Sequence, residues 1–148
     1  MQEKDLDPAD LALMSEGCIA LNLRRAARIA TRRYEDALRP LGLTSFQFSA
    51  LKALSEHDAI PHGELAKAFA LDLSTLSRNV RPLIARGLAG SETDAKDKRV
   101  KRLTATAEGR ALYAAALPLW AGAQRETLDE LGPRVWPMLR ASLRCIEE

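Results

Sequence analysis

The sequence predicts a mainly α-helical chain with one small β-hairpin. Three observations lead there. Apolar residues recur at three- and four-residue spacing through most of its length. That period gives way to two short extended stretches only between Leu88 and Ala105. Residues that start and stop helices stand at the ends of the periodic segments. The composition is globular rather than disordered, with 47% hydrophobic and 28% charged residues, and 148 residues are enough for an ordinary core.

From Leu11 to Leu41 one long helix is expected. Ile19, Leu23, Ala26, Ala27, Ala30, Tyr34, Leu38 and Leu41 form its apolar repeat, with Arg24, Arg25, Arg28, Arg32 and Arg33 between them. Pro40 and Gly42 stop it. Thr44-Ser45-Phe46-Gln47 has the form of a capping box, flanked by Leu43 and Phe48 as a hydrophobic staple, and opens a helix to about Ser55. Pro61 biases Ile60 toward extended angles. A short helix from about Gly63 to Ala70 buries Leu65, Ala66 and Phe69. Asp72 then caps a helix of about Leu73 to Arg86, which Gly87 ends in a left-handed conformation.

The hairpin pairs Leu88–Thr93 with Arg99–Ala105 around a charged tip. Thr106 caps a long helix, Ala107 to Leu131, bent at Pro118. Pro133 suits the first position of a last helix carrying Val135, Trp136, Leu139, Leu143 and Ile146.

Helix, short turn, helix and hairpin is the order of a winged helix-turn-helix. In that arrangement one helix braces across a DNA backbone and the next presents its N-terminal residues to base edges. The candidate recognition helix sets Leu73, Leu76, Val80, Leu83 and Ile84 on one stripe and Ser74, Thr75, Ser77, Arg78 and Arg81 away from it, with Asn79 at the boundary. Hydroxyl, amide and guanidinium groups are the types that bond phosphates and base edges. No Asp or Glu occurs from Leu73 to Gly90. Between His62 and Thr104, Lys and Arg outnumber Asp and Glu nine to five, so a centre of net +4 lies between flanks that sum to −2. That asymmetry is the footprint of a polyanionic partner. The hairpin adds Lys96, Lys98, Arg99, Lys101 and Arg102, and an aspartate beside Arg99 would hold its guanidinium in one rotamer. The candidate DNA contacts are therefore Ser74, Thr75, Ser77, Arg78, Asn79, Arg81, Asp97, Lys98 and Arg99.

Other classes lack their signatures. There is no P-loop, G-x-S-x-G, H-E-x-x-H or CxxC, so no catalytic residues, cofactor or enzymatic activity are expected. His57 and His62 read as surface residues, with no further His or Cys nearby to complete a metal site. No apolar run approaches the ~18 residues of a membrane helix. The polar, acidic start is unlike a leader, and Cys18 and Cys145 are no disulfide framework. The expected compartment is the cytoplasm.

Three stretches, in order, resemble the MarR family of winged helix-turn-helix regulators over nearly the whole chain. Leu41-Gly42-Leu43-Thr44-Ser45-Phe46-Gln47-Phe48 resembles the entry to that family's second helix. Gly63-Glu64-Leu65-Ala66, Leu71 through Arg78, and Arg86-Gly87-Leu88 are similar to its helix-turn-helix. Asp97-x-Arg99-x-x-x-Leu103-x-Ala105-Thr106-x-x-Gly109 resembles its wing signature. The resemblance implies that Arg99 is the wing arginine, in or beside the minor groove, with Asp97 its support. Two positions depart from the pattern. Ala105 stands where a leucine is usual, which should loosen packing between wing and helix, and Pro82 interrupts the recognition helix, which would re-aim Arg81.

The resemblance also implies a homodimer that reads a pseudo-palindromic operator in double-stranded DNA, usually as a repressor. Segments 11–41 and 107–148 would form the dimerisation region and 44–106 the DNA-binding lobe. Ile19, Leu23, Leu119, Trp120, Trp136, Leu139 and Leu143 are the candidate dimer residues. Family members release DNA on binding small aromatic or anionic effectors, or on oxidation of a cysteine in the first helix, where Cys18 is expected to lie. The rival reading is a winged-helix module that binds protein and not DNA. Steep salt dependence of duplex binding would separate the two.

Overall fold

The computed structural model describes residues 7–147, and the chain divides into two compact units between Arg33 and Tyr34. The first unit contains helix α1 (Pro8–Glu16) and most of α2 (Ile19–Leu38). The single helix expected from Leu11 to Leu41 is therefore broken. Asp7 caps α1 by accepting from the Ala9 amide at 2.8 Å. Gly17 and Cys18 then leave helical geometry, and the Cys18 carbonyl accepts the first bond of α2 from the Asn22 amide at 3.1 Å. Glycine gives up more conformational freedom in a helix than any other residue, which places the break beside Gly17. Cys18 consequently sits in the break and not inside a helix. Leu11, Ile19, Leu21 and Ile29 are exposed on this unit.

The second unit begins in the last turn of α2 and contains a 3-10 turn (Arg39–Leu41), α3 (Ser45–Glu56), β1 (Ile60–Pro61), α4 (His62–Ala68), α5 (Leu73–Ala85), β2 (Ala89–Thr93), β3 (Lys101–Ala105), α6 (Ala107–Leu131) and α7 (Val135–Glu147). The expected mainly helical winged helix-turn-helix is present. The caps form as their chemistry requires. Thr44 Oγ1 accepts from the Gln47 amide and Gln47 Oε1 from the Thr44 amide, each at 3.1 Å. Asp72 and Thr106 cap α5 and α6, and Gly87 turns the chain at φ +70.

The sheet is three-stranded and antiparallel in the order β1-β3-β2. Ile60 pairs with Leu103 and Pro61 with Arg102 on one side, while Ala89 through Thr93 pair with Ala105 through Lys101 on the other. The extended piece at Ile60 is thus a strand that ties the hairpin to the helix-turn-helix. Arg99 lies in the tip turn, not in the strand where it was expected. The last helix starts at Val135, so Pro133 belongs to the turn ahead of it.

Leu38, Leu51, Leu54, Leu65, Leu76, Val80, Leu83 and Leu103 are fully buried in one core. Each contributes about 1.5–3 kcal/mol of transfer free energy. That scale explains why α5 runs through Pro82 without ending. Proline in a helix interior costs about 3 kcal/mol, and burial of Leu76, Val80 and Leu83 offsets it. Leu73 and Ile84, expected on the same stripe, remain exposed at the ends of the helix. Ala105 is buried.

Gly109 is fixed by a close approach. A Cβ there would stand 1.9 Å from the Leu88 carbonyl oxygen, the same oxygen that accepts from the Thr106 amide at 3.2 Å. Only glycine lets α6 start against the end of the helix-turn-helix.

Candidate nucleic-acid interface

The N-terminus of α5 is organised by Asp72. Its Oδ1 accepts from the Thr75 amide at 2.8 Å and the Ser74 hydroxyl at 2.6 Å, and its Oδ2 from the Thr75 hydroxyl at 2.7 Å. These donors, the Ser74 hydroxyl foremost, hold the Asp72 carboxyl well below the usual carboxylate range. Thr75 Oγ1 in turn accepts from Arg78 Nη2 at 3.1 Å. Arg78 is therefore braced along the helix through Thr75 to the cap. Ser74, Ser77, Arg78 and Arg81 are exposed, whereas Thr75 and Asn79 are half-buried. The helix thus offers two hydroxyls and two guanidinium groups on one outward face.

The wing tip is a set of nested turns. The Asp94 amide donates to the Val100 carbonyl at 2.8 Å and the Val100 amide to the Asp97 carbonyl at 2.9 Å. Asp97 Oδ1 accepts from the Arg99 amide at 3.0 Å and from Arg99 Nε at 3.3 Å. The Arg99 side chain is 91% exposed even so. An exposed guanidinium bonded to its own turn is a partly pre-oriented cation, with some of its rotamer freedom lost before any anion arrives. Lys98 is exposed beside it.

Three further charged residues, Asp94, Arg102 and Arg86, brace this surface through hydrogen bonds within the fold. Asp94 Oδ1 accepts from the amides of Lys96 and Asp97 at 2.8 and 3.0 Å, and its Oδ2 receives Arg102 Nε. Arg86 closes α5 onto the turn after α2, donating from Nη1 to the Gly42 carbonyl at 2.7 Å and from Nη2 to that of Leu41 at 3.2 Å. Gly42 adopts φ +62 to present that carbonyl.

The remaining candidates lie elsewhere. Trp120, expected to face a partner subunit, stacks between Phe48 and Tyr34 with ring centroids 5.5 and 5.9 Å away, and so belongs in good part to its own lobe. Leu119 and Leu139 are exposed, as are Val135, Met138 and Ile146. Leu23, Trp136 and Leu143 are half-buried, and Ile19 is exposed. Trp136 lines a cleft of about 410 Å³ with Leu128, Asp129, Gly132, Pro133 and Pro137. His62, expected at the surface, is half-buried, and its Nε2 has no hydrogen-bond partner. Burial, and then the charge of Lys101, lower its pKa. Among the described residues no cluster of His, Cys, Asp and Glu could hold a metal ion, and no helix is long and apolar enough to cross a membrane.

An exposed, acid-free helix face and a basic hairpin tip on one chain define a winged helix-turn-helix of the nucleic-acid-reading kind. Comparison with known proteins identifies which. The profile of the MarR family matches residues 43–101. The transcriptional regulator HosA of Escherichia coli O157:H7 is 31% identical over 109 residues, covering 74% of this chain and 79% of HosA. The transcriptional regulator MosR of M. tuberculosis, solved in complex with DNA, is 37% identical with a TM-score of 0.79, covering 88% of this chain and 93% of MosR. BpsR of Bordetella bronchiseptica, whose DNA binding is regulated by 6-hydroxynicotinic acid, is 27% identical with a TM-score of 0.81, covering 90% of this chain and 96% of BpsR. The chain belongs to the MarR family of transcriptional regulators.

Proposed function

We propose that the protein binds double-stranded DNA sequence-specifically as a homodimeric repressor, reads a pseudo-palindromic operator, and is released by a small aromatic or anionic ligand. The observation that carries this reading is the pairing of the outward face of α5, with Ser74, Ser77, Arg78 and Arg81, and the Asp97-held Arg99 at the wing tip. Thr75 and Asn79 support the helix face from its flank, and Lys98 adds charge at the tip. Two such lobes on a dimer would meet successive major grooves ~34 Å apart. Segments 11–41 and 107–148 would supply the dimer contacts, and the exposed apolar residues of α7 favour that assignment. The complex of MosR with DNA and the response of BpsR to an aromatic acid support the partner and ligand classes. The reading includes no catalytic activity, and it places the protein in the cytoplasm.

The decisive experiment selects duplexes from a random pool and titrates the best one against salt. A dimer neutralising several phosphates should lose about a thousandfold in affinity between about 50 and 200 mM salt. Absence of any selected duplex would reject DNA reading and leave a protein-binding module.

A further inference from the structure

Arg99 is held by Asp97, and the turn that carries Asp97 is itself fixed from elsewhere in the fold. The bonds that fix it run through Asp94 and Arg102. Asp94 Oδ1 ties the Lys96 and Asp97 amides at 2.8 and 3.0 Å. Asp94 Oδ2 receives Arg102 Nε, and Arg102 Nη1 continues to the Ala59 carbonyl at 3.4 Å. Ala59 immediately precedes β1, the strand that joins the helix-turn-helix to β3. A continuous path therefore leads from the body of the lobe at Ala59, through Arg102 and Asp94, to the turn that carries Arg99. The Asp94 side chain is only 13% exposed, and that of Arg102 39%, against 91% for Arg99. Asp94 and Arg102 are thus turned inward along the hairpin, while Arg99 is turned out.

We propose that Asp94 and Arg102 are positioning residues: together they set the pitch of the wing and so place Arg99 for the groove, without touching nucleic acid themselves. The inference rests on the reading of the wing as a DNA contact. It separates two kinds of charge on one hairpin. Arg99 and Lys98 are presented to the partner, and Arg102 is spent internally on Asp94 and Ala59. It also gives an unexpected role to an acid in a basic wing. Simple electrostatics would count Asp94 as a liability next to a polyanion, whose removal tightens binding. The clamp requires the reverse.

That opposition of sign is the test. In the full-length protein, Asp94→Asn keeps size and an acceptor oxygen but removes the charge that receives Arg102. It should weaken binding to the selected duplex about tenfold, the scale of one lost charge-assisted hydrogen bond. In the same background Arg99→Ala should cost little more, because Arg99 is already misplaced. Amide hydrogen exchange at Lys96, Asp97 and Arg99, measured without DNA, should speed up while the melting temperature of the lobe holds. Arg102→Lys keeps the charge but not the fork, and should reproduce both effects. Duplex binding as tight as the parent's, or tighter, with the full cost of Arg99→Ala retained, would overturn the proposal. A loss of affinity with unchanged exchange at the tip would overturn it as well. If the parent protein binds no duplex, the DNA reading fails on its own, and exchange at the tip in Asp94→Asn then decides the clamp alone.

Discussion

Arg99 is the residue on which DNA reading can be tested most directly, because it is outward-facing and its removal leaves the core untouched. Arg99→Ala should weaken operator binding by roughly 1–3 kcal/mol and lower the salt slope by about one. A competition titration checks both. Thr106 works at the opposite kind of position. Its Oγ1 accepts from the Gly109 amide at 3.0 Å and donates to the Gly87 carbonyl at 2.7 Å. Thr106→Ala should therefore cost about 1–2 kcal/mol of stability by denaturant unfolding. Asp94 gives a pH signature. The Arg102 side chain, and then the amides of Asp97 and Lys96, lower its pKa to about 2. Its folded value lies below its unfolded one, so its contribution is complete above the ordinary carboxylate range and is lost as pH falls through about 4 toward 2. Amide protection at the wing tip should accordingly hold from neutral pH down to about 4 and fade below it.

Elements whose signals are local were legible in the sequence. Thr44 with Gln47, Asp72 with Thr75, and Thr106 with Gly109 are three residues apart, and the cap chemistry is complete within that span. Asp97 and Arg99, two residues apart, are local as well, and their pairing is the one the family resemblance implied. What the sequence does not carry is pairing at a distance. Asp94 meets Arg102 across the hairpin, and Arg86 reaches Leu41 and Gly42 from 45 and 44 residues away. Such contacts depend on the register of strands and the packing of helices, which no local pattern encodes. The extended piece expected at Ile60 becomes the strand β1 only through such a distant pairing, since two residues gain strand character only from the partner they pair with. Its partner position, Leu103, is fully buried between β1 and β2. Leu103→Ala should cost about 2–5 kcal/mol, and if the sheet unites wing and helix-turn-helix, thermal unfolding should remain one transition.

At the scale of the whole molecule, the apolar residues of α7 are the feature to challenge. Met138 is 71% and Ile146 63% exposed, and with Val135 and Leu139 they fall at helical spacing on one side of α7. For the proposed dimer, Met138→Glu combined with Ile146→Glu should shift sedimentation toward a single chain and weaken operator binding by removing the second half-site. Unchanged mass would place the dimer contact elsewhere. The sheet has a consequence of its own. A backbone severed between Lys98 and Arg99 would leave β2 on the fragment with α2 to α5 and β3 on the fragment with α6 and α7. The two would still share five register pairs and a common core. The hairpin tip is thus a seam at which the gene could be divided into complementary halves that reassemble when expressed together, reporting their reunion by recovered folding.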